Sequence, residues 1–130
     1  MSADRQPITA KDAPAAVGPY SHAVRSGGFL FLSGQTPLDP ATGALVEGDI
    51  GAHTRQCLRN LEAVCVAAGA SLRDAVRCGI FVTDIGTFGD VNAAYAEFFT
   101  DVPPARSTVG VAALPLGAQV EIEAIVALGG

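Results

Sequence analysis

The segment 118–128, AQVEIEAIVAL, alternates with a period of two. Val120, Ile122, Ala124, Val126 and Leu128 fall on one side of an extended chain, and Glu121, Glu123, Ile125 and Ala127 on the other. Helical geometry would scatter both sets around a cylinder, so the segment reads as a strand with one apolar face and one face half apolar and half acidic. ARSTVGVAAL (105–114) behaves alike, with Ser107, Val109 and Val111 on one side and Arg106, Thr108, Gly110 and Ala112 on the other. A sheet made of such strands offers one face to a layer of helices and leaves a second face that is poorly suited to bulk water.

The rest of the chain supplies that layer. GGFLFLSGQ (27–35) reads as a short buried strand entering a glycine turn, and TPLDPATGALVEGD (36–49) as turn and loop. A helix starts from Asp49 as N-cap, with Thr54, Leu58, Leu61, Val64, Cys65 and Ala68 on one face and Gly69 as its stop. DAVRCGIFVTD (74–84) is a strand with Val76, Cys78, Ile80 and Val82 on one face. TFGDVNAAYAEFF (87–99) is a second helix, opened by a capping-box-like Thr87 and Asp90 and carrying an apolar stripe of Phe88, Val91, Tyr95 and Phe98. Pro103 and Pro104 end it, and the strands 105–114 and 118–128 are joined through Pro-Leu-Gly. The order strand, helix, strand, helix, strand, strand is that of an α+β layer in a single domain, 1–130, whose residues 1–14 are polar, proline-bearing and expected to lie loosely on the surface. Two helices cover one face of such a sheet. The other face calls for a second copy of the chain, as in the common symmetric homo-oligomers, and polar residues inside that interface would line a cleft.

Composition narrows the function. With 49% hydrophobic and 16% charged residues the 130-residue chain is a folded domain, not a disordered one. A net charge of −5 with scattered cations argues against nucleic acid, whose phosphates need clustered positive charge. No apolar run reaches membrane-spanning length, and MSADRQPITAKDAP lacks the apolar core of a secretory signal. Cys57, Cys65 and Cys78 show no CxxC spacing and read as reduced, buried packing thiols of a cytoplasmic protein. His22 and His53 have no metal-ligand spacing, and GxSxG, P-loop and GxGxxG are absent, so neither a metal nor an organic cofactor is expected.

There remain Arg106 and the acids of 118–128. Arginine is a planar, permanently charged fork suited to a carboxylate ligand. Glu121 is either its interchain salt-bridge partner or a general acid/base, and Glu123 shares its strand face. Ser33 sits where a strand enters a turn, with its hydroxyl and the amides after it available to a ligand or to turn closure. Tyr20 reads alone as a loop aromatic and Asn92 as an exposed helix polar residue.

The run PARSTVGVAALPLGAQVEIEAI resembles the C-terminal signature of the Rid family, the reactive intermediate deaminases, also called the YjgF or L-PSP translation-inhibitor family. GPYSHA (18–23), LSGQTP (32–37), VNAAYAEFF (91–99) and EIEAI (121–125) match further landmarks in the same order, so the likeness covers the chain from about Ala15 to Leu128. The resemblance implies a chorismate-mutase-like fold assembled as a homotrimer with ligand clefts between subunits. It implies hydrolysis of enamine and imine intermediates such as 2-aminoacrylate to 2-oxo acids and ammonia, without cofactor or metal. By motif position it assigns Glu121 to handling the attacking water and Arg106 to gripping the substrate carboxylate, with Tyr20, Ser33, Gly34 and Asn92 lining the pocket. Thr108 stands where many deaminase-active members have cysteine, and as a hydrogen-bond donor it joins the substrate-binding set. His22 replaces a glutamine common after GPYS, and TDVPPARS is shorter than its counterpart in the best-known members. Two other activities attach to this kind of chain: a non-catalytic 2-oxo acid-binding or chaperone-like trimer, and an endoribonuclease or translation inhibitor, which the acidic balance opposes.

Overall fold

The computed structural model describes residues 3–129. Its strands are β1 (Gln6–Ile8), β2 (Ala23–Ser26), β3 (Phe29–Gln35), β4 (Ala75–Val82), β5 (Ala105–Gly110) and β6 (Val120–Ala127), and its helices are α1 (Ile50–Ala67) and α2 (Phe88–Ala96). The strands form one six-stranded sheet in the order β1-β2-β3-β6-β4-β5. Every neighbouring pair is antiparallel except β4 and β5, which are parallel. A parallel pair needs a long crossover, and α2 supplies it.

The helices share one face of the sheet. Asp49 accepts a hydrogen bond from the Ala52 amide at 2.9 Å and starts α1, and Gly69, at φ +72°, lies just past its end. The stripe Thr54, Leu58, Leu61, Val64 and Cys65 is buried against Leu30, Leu32, Cys78, Ile80, Val120, Ile122, Ala124 and Val126. The α+β class with two helices on one side of a mixed sheet is therefore as the strand patterns indicate. All three thiols are buried within this layer. Burial pushes Cys65 up to about 12 and raises Cys57 and Cys78 as well, so these are packing groups and not nucleophiles.

No helix covers the opposite face among the described residues. Glu121, Glu123 and Ile125 on β6 share it with Phe31, which is 45% exposed, and with Val109, which is 44% exposed. It therefore mixes exposed apolar side chains with two carboxylates.

Several local expectations are corrected. The segment before Pro14 is not loose: Gln6–Ile8 pairs with Ala23–Arg25, and Ala10 and Ala13 enter the core; Met1 and Ser2 lie outside the described residues. On β4 a bulge between Ala75 and Arg77 puts Ala75 in the core and turns Val76 out to 42% exposure. The second helix is shorter than 87–99, and Thr87 caps nothing with its side chain, donating instead to the Asp84 carbonyl at 2.7 Å. β5 ends at Gly110 and does not neighbour β6, because β4 lies between them.

Candidate active site

A β-bulge organises the first group of residues. Leu32 pairs with Ala124 and Gln35 with Ile122, so Ser33 and Gly34 together oppose the single Glu123. The extra residue brings Gly34 under the Glu121 side chain, where any Cβ would collide with the carboxylate. Ser33 Oγ donates to the Ser21 carbonyl at 2.6 Å, which fixes the Tyr20–Ser21 segment beside the bulge. Tyr20 Oη accepts the Val17 amide at 3.2 Å. Tyr20, Ser33, Gly34 and Glu121 line a cleft of about 300 Å³ together with Pro14, Ala15, Pro115 and Leu116. Leu116 forms part of its rim with φ at +62°, a left-handed conformation rare for a side chain of this size.

Glu121 is half-buried in this cleft. Its carboxyl is raised above the ordinary range, first by burial and then by the charge of Glu123. A carboxyl so placed exchanges a proton nearer to neutral pH than a solvated one does, which suits general acid/base work.

The second group lies on the other side of the sheet. In the parallel register Arg106 sits opposite Cys78, and Thr108 opposite Ile80, which places both on the helix-covered face. The polar side of β5 thus looks toward α2, and Ser107 and Val109 look the other way. The Arg106 guanidinium lies 4.9 Å from the Tyr95 ring centroid and 5.5 Å from that of Phe88. Among the described residues the salt bridge found joins Arg55 to Glu97 at 3.0 Å, and none involves Arg106. The cation is therefore held by aromatic faces, with no carboxylate of the described residues in a salt bridge with it.

On the same face of the sheet are buried polar atoms without a nitrogen or oxygen partner: Asn92 Oδ1, Thr108 Oγ1 and Tyr95 Oη, the last beside the Cys78 thiol. Buried hydroxyls and amides are normally hydrogen-bonded, so these atoms and the cation leave hydrogen-bonding capacity that a polar ligand could use. Burial raises the Tyr95 phenol further above its ordinary range, so it stays protonated and a donor. Asn92 is thus half-buried within this group and not an exposed helix residue.

The predicted site residues fall into two sets. Tyr20, Ser33, Gly34 and Glu121 come together on the open side, and Asn92, Arg106 and Thr108 beneath α2, with the sheet between the sets. An Arg106–Glu121 pair within one chain is excluded by that geometry. Two further members, Phe88 and Tyr95, are legible in the sequence only as apolar stripe and are missing from the predicted site. Their seven-residue spacing puts both on one helix face, and that is the available signal. No group of three or more His, Cys, Asp or Glu able to hold a metal ion occurs among the described residues.

Comparison with known proteins agrees with the fold and the family resemblance. The profile of the family described as Endoribonuclease L-PSP matches residues 10–128. The chain is 51% identical over 123 residues to Protein DfrA of Myxococcus xanthus, covering 93% of this chain and 94% of that protein. It is 47% identical over 121 residues to the 2-iminobutanoate/2-iminopropanoate deaminase of Salmonella typhimurium, covering 91% and 94%. The solved structure of the Rid-family protein YyfA from Yersinia pestis superposes with a TM-score of 0.93 at 48% identity, covering 96% of this chain and all (100%) of that one. With a profile spanning nearly the whole chain and relatives near half identity, the protein belongs to the L-PSP endoribonuclease family, the group that includes the Rid and YjgF proteins.

Proposed function

We propose that this protein is a cytoplasmic homotrimer that hydrolyses reactive 2-imino acids, such as the tautomer of 2-aminoacrylate, to 2-oxo acids and ammonia. The observation that carries the reading is the division of the site into two incomplete halves. One face holds a proton-exchanging carboxyl without a cation, and the other an unpaired guanidinium among orphaned donors and acceptors. Neither half can bind and hydrolyse an imino acid alone. The uncovered apolar face calls for further copies, and a cyclic assembly would bring the β5 edge of one copy to the cleft of the next.

In such a cleft Arg106 binds the substrate carboxylate through its two-pronged fork. Thr108 Oγ1, Tyr95 Oη and Asn92 offer hydrogen bonds beside it. Glu121 accepts a proton from water as the oxygen bonds to the imine carbon, and the imine nitrogen gains a proton. The resulting carbinolamine then collapses. Its hydroxyl proton is removed, the C–N bond breaks with its electron pair going to nitrogen, and protonated nitrogen leaves as ammonia. Water is consumed and a carbonyl formed, so no oxidant or reductant enters. A positioned acid/base group of this type contributes about 10²–10⁴-fold.

The deaminase name of the Salmonella relative supports this reading. The ribonuclease activity in the family's description finds less support here, because a chain of net charge −5 offers no cluster of cations to a phosphate backbone. The test is subunit complementation. 2-Aminoacrylate is generated in place by a dehydratase, and ammonia release is monitored. Arg106→Ala and Glu121→Gln chains should each be nearly inactive. Refolded together in equal amounts, they should regain activity, since about one cleft in four would combine two intact halves. Wild-type protein without turnover, but binding pyruvate, would make it a non-catalytic 2-oxo acid binder. No recovery on mixing would refute a cleft shared between copies.

A further inference from the structure

His22 lies outside both halves, yet it is 6% exposed and fully hydrogen-bonded. The Ala10 amide donates to its Nδ1 at 2.9 Å, and its Nε2 stands 2.8 Å from the Pro14 carbonyl. An amide N–H can only donate and a carbonyl can only accept. The two partners therefore fix the neutral ring with its proton on Nε2. The ring spans both ends of the turn from Ala10 to Pro14. Meanwhile the His22 carbonyl accepts the Ser33 amide at 3.0 Å, on the strand that carries the bulge.

This clamp bears on the cleft through the chain that leaves Pro14. Pro14, Ala15, Val17 and Tyr20 form one wall of the Glu121 cleft. Tyr20 is bonded within that wall, through its hydroxyl to Val17 and its amide to the Gly18 carbonyl at 2.9 Å. The chain between Pro14 and Tyr20 has no strand pairing, so its position depends on its two anchors. One is Ser33 Oγ on the Ser21 carbonyl, and the other is the His22 ring on Ala10 and Pro14.

We infer that His22 is a positioning residue that sets the distance between the Pro14–Tyr20 wall and Glu121, and thereby the width of the cleft that the substrate side chain enters. This rests on the reading of that cleft as the substrate site. Glutamine offers one acceptor and one donor at nearly the spacing of the two ring nitrogens, so it can bridge the same amide and carbonyl. Leucine fills the volume and offers neither.

The experiment compares wild type, His22→Gln and His22→Leu by two independent readouts. One is steady-state kinetics with 2-iminopropanoate and the bulkier 2-iminobutanoate, each generated in place. The other is amide hydrogen exchange of residues 10–20. His22→Leu removes both bonds and should raise KM about tenfold, the displaced wall costing substrate binding about as much as one net hydrogen bond, and leave kcat within about twofold. It should also change the ratio of the two substrates and strip exchange protection from residues 10–17. His22→Gln should restore all of these. A merely structural histidine would lower the melting temperature of His22→Leu without moving KM or the substrate ratio, and that result overturns the inference. So does a glutamine variant that behaves like leucine, or unchanged exchange in the leucine variant. If the wild type turns over neither imine, the proposed function fails. Titrated pyruvate then replaces the kinetic arm, and the exchange pattern still decides whether the ring holds the wall.

Discussion

Gly34→Ala tests where the Glu121 carboxylate must sit by adding a single carbon. Gly34 lies on the β3 bulge, and its φ is outside the left-handed region, so alanine brings no backbone strain of its own. A Cβ built there overlaps Glu121 Oε2 and stands 3.0 Å from Cδ and 3.2 Å from Cγ. Carbon atoms in contact rest at about 3.5–4.0 Å, so the carboxylate must retreat by on the order of 1 Å. A misplacement of about 1 Å at a reacting centre costs about 10²-fold in rate. That is about 2.7 kcal/mol of barrier. The matched control is Gly79→Ala, whose Cβ would stand 2.9 Å from Oε2 of the neighbouring acid, Glu123. The assay is kcat/KM for 2-aminoacrylate hydrolysis, with thermal melts and light scattering on the same samples. Gly34→Ala should lose about two decades of kcat/KM while melting near the wild type and keeping its assembly. Gly79→Ala should move Glu123 and keep most of the rate. Wild-type turnover by Gly34→Ala, or an equal loss in both variants with assembly intact, would refute the placement of the acid.

The remaining groups give further expected outcomes. Arg106→Lys should weaken pyruvate binding and Arg106→Ala weaken it more, by about one to two decades, because a charge-assisted hydrogen bond contributes about 1.5–3 kcal/mol; isothermal titration measures it, and a lowered melting temperature with unchanged affinity would make Arg106 structural. Glu123→Gln removes the lesser of the two causes that raise Glu121, so the acid limb of the kcat/KM profile should move to lower pH, and a limb that stays in place would show that Glu123 does not tune it. The sign for stability is related: a raised carboxyl favours the folded state on the acid side, and that contribution is lost as pH rises through the raised value. Relative to wild type, Glu121→Gln should therefore gain melting temperature as pH rises through that value, and a difference between the two that does not change with pH would show that the buried carboxylate carries no such cost.

The parts of this fold that the sequence made readable are those fixed by contacts within a few residues. Asp49 caps α1 because its carboxylate reaches an amide three residues on, and the α1 stripe reflects 3.6 residues per turn. The buried and open sides of β6 reflect its period of two. The motif order led to the family and to the names of the site residues, but not to their arrangement. β1 and β2 are not legible because three or four residues carry too little alternation, and their pairing is a contact over many residues of chain. The Val76 bulge likewise exists only against its partner strand.

The largest difference lies in β5. A period of two divides Arg106 and Thr108 from Ser107 and Val109, and the sequence alone determined that division. It carries no information about which side meets the helices. The parallel register with β4 decides this, setting Arg106 against Cys78 and turning Val109 to the open face. Tertiary structure alone therefore put the guanidinium and the Glu121 carboxyl on opposite faces of one sheet. The physical reason is that alternation is a property of one strand, whereas a face belongs to the sheet and is settled only when strands pair.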